Sequence, residues 1–161
     1  MIRSGKEITN VYTGIRSEIP LTPSEIRFVS DYLLSIDTDM NKVVFSDYKR
    51  TAYLEKFDAY IIGTDVKPLE HYKHGVKNAN QRISIKGTLA HEVIGHREAH
   101  IRGWTQNDDI LEEVQASIRA ARFGQDLSNR ERMTLLMDAR ARLGNERRLK
   151  DVRDFLHIDE R

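Results

Sequence analysis

The residues best suited to chemistry lie in one short stretch, residues 91–96, whose sequence is HEVIGH. Two imidazoles, those of His91 and His96, flank the carboxylate of Glu92. Imidazole nitrogens are common ligands of catalytic zinc, and a carboxylate beside them can act as the general base of a hydrolase. The stretch therefore predicts a metal site with a base next to it.

The spacing of the two histidines determines the helix geometry that such a site needs. Residues five apart on a regular α-helix differ by about 140° in direction, so His91 and His96 would not face the same metal ion. One extra residue in the turn, a π-type bulge, restores the alignment, and such bulges concentrate at functional sites. We predict a bulge here, with Gly95 where the distortion is easiest, because it leaves Glu92 free to act on a water.

An undistorted helix offers a different set of ligands. Glu92, His96 and His100 are spaced four and four and would share one face. Three side chains in a line along a helix make a poor tetrahedron, so we interpret His100 as a surface histidine or a hydrogen-bonding partner of a ligand.

A third ligand is predicted from the acid pair Glu112 and Glu113. The pair opens a helix whose following positions, in residues 114–121, are mostly small or apolar, so this helix can pack closely against the first. We expect Glu113 to bind the metal and Glu112 to accept a hydrogen bond from a histidine ligand. The simpler alternative is that both acids only stabilise the positive end of the helix dipole.

The composition limits the kinds of metal site and of binding partner that the chain can have. The chain has 161 residues and no cysteine, which excludes disulfides, thiol nucleophiles and cysteine-bound zinc. Zn²⁺ is the default cofactor for histidine and carboxylate ligands, although residue types alone also admit manganese or cobalt. With 26 basic and 25 acidic residues we expect no nucleic-acid partner, and without a long apolar run we expect no membrane insertion.

The order of elements predicts an α+β fold in one domain, residues 1–161, which can also be a domain cut from the C-terminus of a larger protein. We expect a small antiparallel or mixed sheet packed against a helical core, with the metal site on two helices. The predicted helices begin at the Thr22-Pro23 cap, at Thr88, near Asp108, at the Ser128 cap and near residue 145. The helix from Thr88 is expected to end at Gly103, and the last helix is expected to cover roughly residues 145–157. The predicted strands are residues 42–45, 59–62 and 81–85.

The two acid-containing motifs resemble those of a known peptidase family. Residues 91–96 match the H-E-x-x-G-H motif of the dipeptidyl peptidase III family, and residues 112–116 resemble its E-E-x-x-A motif. The resemblance implies a zincin-like core in which His91, His96 and Glu113 bind zinc and Glu92 serves the catalytic water.

A longer segment, residues 78–143, resembles in its sequence pattern the metallopeptidase domains at the C-termini of bacterial polymorphic toxins, including Rhs-type effectors. That resemblance implies an effector that cleaves a protein in a target cell and has a cognate immunity protein as a partner. Residues 1–6 lack the apolar core of a signal peptide, so we expect a cytoplasmic protein or one delivered by a bacterial secretion system.

Substrate binding is assigned to the predicted strand at residues 81–85 and to Asn78 and Asn80 before it. An extended peptide or protein substrate would add to the edge of that strand. Candidates for stabilising the oxyanion are His71, Tyr72, His74 and Arg97. We interpret the arginine-rich stretch 130–153 as a solvated face with salt bridges.

The expected function is that of a zinc metallopeptidase of the gluzincin type. Two alternatives use the same residues. One is a zinc amidase that acts on a non-protein amide, and the other is a non-catalytic helical interaction module whose His/Glu cluster is inert.

Overall fold

A small three-stranded sheet packs against the helices in the computed structural model, which describes residues 14–70 and 78–161. This is the α+β fold, with a mixed sheet, that the sequence predicts. The elements are α1 (Pro23–Ser35), β1 (Val43–Phe45), β2 (Ala52–Leu54), β3 (Ala59–Ile62), α2 (Ala79–Arg82), α3 (Ile85–Ala90), a π-helical segment (His91–Arg97), α4 (Glu98–Ile101), α5 (Asp109–Phe123), α6 (Asn129–Leu143) and α7 (Leu149–Val152). The segments from α3 to α4 follow one another without a break, and residues 85–101 are called the site helix below.

The predicted helix starts are set by side-chain caps. Thr22 caps α1 and Ser128 caps α6, each in a capping box with a glutamate three residues later. Asp108 caps α5, and Gly103 follows the end of the site helix with the positive φ of a C-terminal glycine. These four boundaries of the prediction are confirmed, whereas the site helix begins at Ile85 and not at the predicted Thr88.

The sheet has the strand order β1-β3-β2, with β1 parallel and β2 antiparallel to the central strand. The predicted strands at residues 42–45 and 59–62 are confirmed as β1 and β3. The strand β2 was not predicted, because three residues with no alternation of polar and apolar side chains carry little signal. It is an edge strand, and Tyr53 pairs with Tyr60 in the middle of its register.

The predicted strand at residues 81–85 is wrong. Asn78 caps the short helix α2 in a capping box with Gln81, and Ser84 caps the start of the site helix. The two caps turn the chain twice within seven residues, which overrides the alternation of Ile83 and Ile85. An extended substrate therefore has no strand to join at this position.

The predicted last helix, residues 145–157, is also wrong for most of its length. Only Leu149–Val152 is α-helical, followed by a 3₁₀ turn at Arg153–Phe155. After this turn the chain is extended, so that Leu156 and Ile158, two residues apart, are both buried. A spacing of two fits this segment better than the helical spacing.

Two groups of buried side chains form the core. The larger joins α1, the sheet, the site helix, α5 and α6, through residues such as Leu33, Ile62, Leu89 and Ile94. The smaller joins α5 and α6 to the C-terminal segment. The site helix is thus held between the sheet and α5.

No helix in the described part of the chain is both long and apolar enough to cross a membrane.

The site helix packs tightly against α5 at Gly95. A Cβ atom added to Gly95 would lie 2.4 Å from the carbonyl oxygen of Ala116, which is closer than real Cβ contacts allow. The absence of a side chain at Gly95 therefore sets the distance between the two helices.

We predict that Gly95→Ala lowers the free energy of unfolding by about 3 kcal/mol or more, because backbone must move to admit the methyl group. Urea denaturation measures the change. The control is Gly103→Ala, where φ is +77° but the added Cβ meets nothing within 4 Å, so only backbone strain of about 1–2 kcal/mol is expected. Equal effects of the two substitutions would contradict the close contact.

Candidate metal centre

The π-helical segment brings the two histidines together. Their Nε2 atoms lie 3.1 Å apart, and the rings meet edge to face with centroids 4.7 Å apart. The helix is widened over His91–Arg97, and the stretch includes Gly95. The bulge that the five-residue spacing predicts is confirmed.

Glu113 of α5 completes a convergent group of three ligand atoms. Its Oε2 lies 2.8 Å from Nε2 of His91 and 3.3 Å from Nε2 of His96. Ligands placed 2.0–2.2 Å from a tetrahedral zinc ion are separated by about 3.3 Å, so the three distances are close to what such a site requires. The group of described residues that is compatible with metal binding is His91, Glu92 and His96, and Glu113 contacts both of its imidazoles.

Glu92 belongs to the same cluster but is held differently. One oxygen of Glu92 and one nitrogen of each histidine lie within 4.8 Å of one another, so Glu92 is also near enough to bind a metal. Its Oε2, however, accepts a hydrogen bond of 2.9 Å from the backbone N–H of Tyr53 in β2. Glu113, in contrast, contacts Nε2 of both imidazoles directly.

The two imidazoles are each oriented through their second nitrogen. Nδ1 of His96 lies 2.6 Å from Oε2 of Glu112, and Nδ1 of His91 lies 3.0 Å from the hydroxyl of Ser117. Such contacts fix the ring and leave Nε2 to face the ligand position. The structure places Glu112 in the contact with a histidine that the sequence predicts.

The charged side chains of the cluster shift one another's pKa values. Burial alone lowers the pKa of His96, but the carboxylates of Glu113 and Glu112 outweigh burial and raise that pKa well above its usual value. Burial would raise the pKa of Glu113, yet His96 and His91 hold it well below the usual range. Because a histidine must be neutral to bind a metal ion, a metal ion at this point would compete with a proton on His96.

A buried carboxylate lies behind the His91 side of the cluster. Asp138 of α6 is 0% exposed, and its Oδ2 accepts hydrogen bonds from the hydroxyl of Ser117 at 2.7 Å and from Nε of Arg142 at 2.8 Å. The chain of contacts from Nδ1 of His91 through Ser117 thus ends on an ion pair. Arg142 in turn reaches back, with Nη1 3.6 Å from Oε2 of Glu113.

Asp138 and Arg142 were missed by the sequence interpretation, which placed residues 130–153 on a solvated face. The stretch holds many arginines at helical spacing, and nothing in their order distinguishes Arg142 from its exposed neighbour Arg140. The signal that was present is the pair Ser117 and Asp138, two small polar residues in otherwise apolar parts of α5 and α6.

The other predicted site residues lie elsewhere. Nδ1 of His100 lies 3.3 Å from Glu55 and 3.2 Å from Thr105, and the group of described residues that could hold a metal ion does not include His100. Arg97 is paired at 2.8 Å with Asp58, which lies in the turn between β2 and β3. His71, Tyr72 and His74 lie outside the described residues.

Asn78 and Asn80 are close to the centre but already engaged. The side chain of Asn78 caps α2, and the side chain of Asn80 accepts a hydrogen bond of 3.4 Å from Nη2 of Arg142. Of the two, only Asn80 lines the cleft next to the cluster.

Two depressions in the surface meet at the cluster and together form a cleft. One of about 330 Å³ is lined by His91, Glu92, Glu113 and Arg142 among others, and one of about 250 Å³ includes His96 and Glu112. Both are lined by Thr51, Glu92 and Glu113, so the cluster lies between them. An extended molecule can therefore lie on both sides of the candidate centre.

We predict that Asp138→Ala lowers the free energy of unfolding by about 3–5 kcal/mol, because it leaves Arg142 charged and buried without its partner. Urea denaturation measures the loss. The double variant Asp138→Ala/Arg142→Met, which buries no charge, is expected to recover part of it. A loss below about 1 kcal/mol in the single variant would show that the ion pair is not buried in solution.

The chain matches no protein-family model, no curated protein and no solved structure. The resemblance of its motifs to dipeptidyl peptidase III and to toxin metallopeptidases therefore remains a prediction. The functional interpretation rests on the geometry of His91, Glu92, His96 and Glu113.

Proposed function

We propose that the protein is a zinc-dependent hydrolase that cleaves peptide bonds, with Glu92 as the general base. The observation that carries the proposal is the convergence of three ligand atoms, from His91, His96 and Glu113, within 3.3 Å of one another. The second nitrogen of each imidazole is held by a partner of its own, which is typical of metal ligands.

Zinc is the metal that suits this set of ligands. Two imidazoles and one carboxylate are the ligands of catalytic zinc sites, which keep a further position open for water or substrate. Nε2 of His91, Nε2 of His96 and Oε2 of Glu113 are the atoms that would hold it. A zinc ion supplies Lewis acidity, which lowers the pKa of water towards about 7 and polarises a carbonyl group.

Glu92 is placed to move the proton. The hydrogen bond from the N–H of Tyr53 fixes Oε2 and the direction of the carboxylate. Within the described residues this is the one hydrogen bond to that carboxylate, so Oε1 can accept a proton from the attacking water. The same group can return the proton to the leaving amine as the peptide bond breaks.

A peptide or protein is the substrate class that the surface favours. The depressions on either side of Glu92 and Glu113 provide room for a chain that continues in both directions from the bond that is cut. A compact amide, the substrate of the alternative amidase, would use one side only.

We extend the proposal to the biological role on the basis of the sequence alone. The similarity of residues 78–143 to toxin metallopeptidase domains favours a bacterial effector that acts on a protein of the target cell. An effector of this kind requires a cognate immunity protein in the cell that makes it.

We predict about one zinc ion per chain in the purified protein, and loss of zinc in His96→Ala and in Glu113→Ala, because each substitution removes one of three ligand atoms. Elemental mass spectrometry measures the metal. The matched control is His100→Ala, which is expected to keep zinc, since His100 contacts Glu55 and Thr105 instead. A wild-type protein that takes up no zinc on incubation with it would refute the proposed function and favour the inert module.

We predict that Glu92→Gln keeps zinc and the fold but loses peptide hydrolysis by at least about 10²-fold, because an amide cannot accept the proton of the water. Cleavage of casein, followed by the release of new amino groups, measures activity. Glu98→Gln on the same helix is the control, since Glu98 pairs with Arg161 away from the cluster. Full activity in Glu92→Gln would exclude Glu92 as the base.

A further inference from the structure

Arg142 is the described residue near the cluster whose placement the proposed ligands and base leave unexplained. Its side chain is 14% exposed, which is unusual for an arginine of a surface helix. Nε donates to Oδ2 of Asp138 at 2.8 Å, and Nη2 donates to Oδ1 of Asn80 at 3.4 Å. The guanidinium plane is therefore held from two sides, by α6 and by α2.

The third nitrogen of this guanidinium, Nη1, makes no hydrogen bond to the described residues. Nη1 lies 3.6 Å from Oε2 of Glu113, which is too long for a hydrogen bond. Among the described residues it has no hydrogen-bond acceptor, and Arg142 lines the 330 Å³ depression beside His91, Glu92 and Glu113. Two N–H groups of a fixed cation therefore border the space that a substrate would occupy.

The other cations that line this depression are already engaged. Arg16 donates to the backbone carbonyls of residues 65, 66, 80 and 83 and to the hydroxyl of Thr88. Lys49 is half-exposed and pairs with Glu18 at 2.7 Å. Arg142 thus differs from both in having a whole NH₂ group without an acceptor within the described ranges.

The chemistry of amide hydrolysis requires such a donor. When water adds to the carbonyl carbon, the electron pair of the C=O bond moves onto the oxygen, which becomes negatively charged. Donors that are oriented before the reaction stabilise this charge most, because they need not reorganise as it forms. A charged donor in a site shielded from water is stronger than a neutral one.

We propose that Nη1 of Arg142 binds the oxygen of the substrate carbonyl on which negative charge develops, and that Asp138 and Asn80 are its positioning residues. The proposal rests on the proposed hydrolase function and names the oxyanion-stabilising group for it. Of the four candidates that the sequence offers, Arg97 is engaged by Asp58 in the turn before β3, and His71, Tyr72 and His74 lie outside the described residues.

The test compares Arg142→Lys with the wild type, both loaded with zinc. Lysine keeps a positive charge for Asp138, so that the fold is retained, but a single ammonium group cannot contact Asp138 and an oxygen in the cleft at once. Arg142→Gln removes the charge altogether. Arg140→Gln is the matched control, because Arg140 lies on the same helix and is exposed.

The first readout is binding of inorganic phosphate, a tetrahedral anion that resembles the charged intermediate, by isothermal titration calorimetry. Arg142→Lys and Arg142→Gln are expected to weaken phosphate binding at least about tenfold at unchanged zinc content, whereas Arg140→Gln is expected to bind it as the wild type does. The second readout is casein cleavage, in which kcat is expected to fall by about 10²–10³ with a small change in KM.

Two results would overturn the proposal, and they are distinct. If Arg142→Lys is folded by circular dichroism, holds zinc, and both binds phosphate and cleaves casein as the wild type does, Arg142 is only a structural partner of Asp138. If the wild type itself takes up no zinc, the hydrolase function is refuted and this assignment with it.

Discussion

The close approach of the site helix to α5 is the constraint on which the candidate centre depends. The two backbones meet where Gly95 faces the carbonyl group of Ala116. His96 is the residue next to Gly95, and Glu113 lies one helical turn before Ala116. The contact therefore also fixes the distance between the imidazoles and the carboxylate of Glu113. Any side chain at residue 95 would separate the helices and move Oε2 of Glu113 away from the histidines. The glycine thus serves both the π-helical widening and the approach of the second helix.

The sequence predicted those parts of the centre that depend on side-chain type and spacing within one helix. The five-residue separation of His91 and His96 predicted a bulge, and the small and apolar residues after the acid pair predicted a second helix packed close by. The sequence did not predict β2, whose contribution is the backbone N–H of Tyr53 to Glu92, because a backbone donor leaves no mark in the residue types. The strand expected at residues 81–85 failed for a related reason, since the caps at Asn78 and Ser84 are local contacts that outweigh a weak alternation.

Asp138 holds both a residue that orients His91 and the guanidinium of Arg142, two roles that the sequence does not link. One of its oxygens accepts from Ser117, which orients His91, and from Arg142, which faces the cleft. The geometry of a proposed metal ligand and that of the proposed oxyanion donor are therefore set by the same atom. A shift of α6 relative to α5 would disturb both at once, so the packing of these two helices matters for the chemistry as well as for the core.

This arrangement is difficult to explain by stability alone. Removing a carboxylate and a guanidinium from water costs more than their attraction usually returns, and apolar residues of similar size would stabilise the same space as well or better. Asp138 is nonetheless 0% exposed, and Arg142 is nearly buried beside it. The cost is understandable if the guanidinium must be charged, rigid and shielded from water at the edge of the cleft. A group that stabilises the negative charge developing on a substrate oxygen requires these properties, and the ion pair with Asp138 gives them to Arg142.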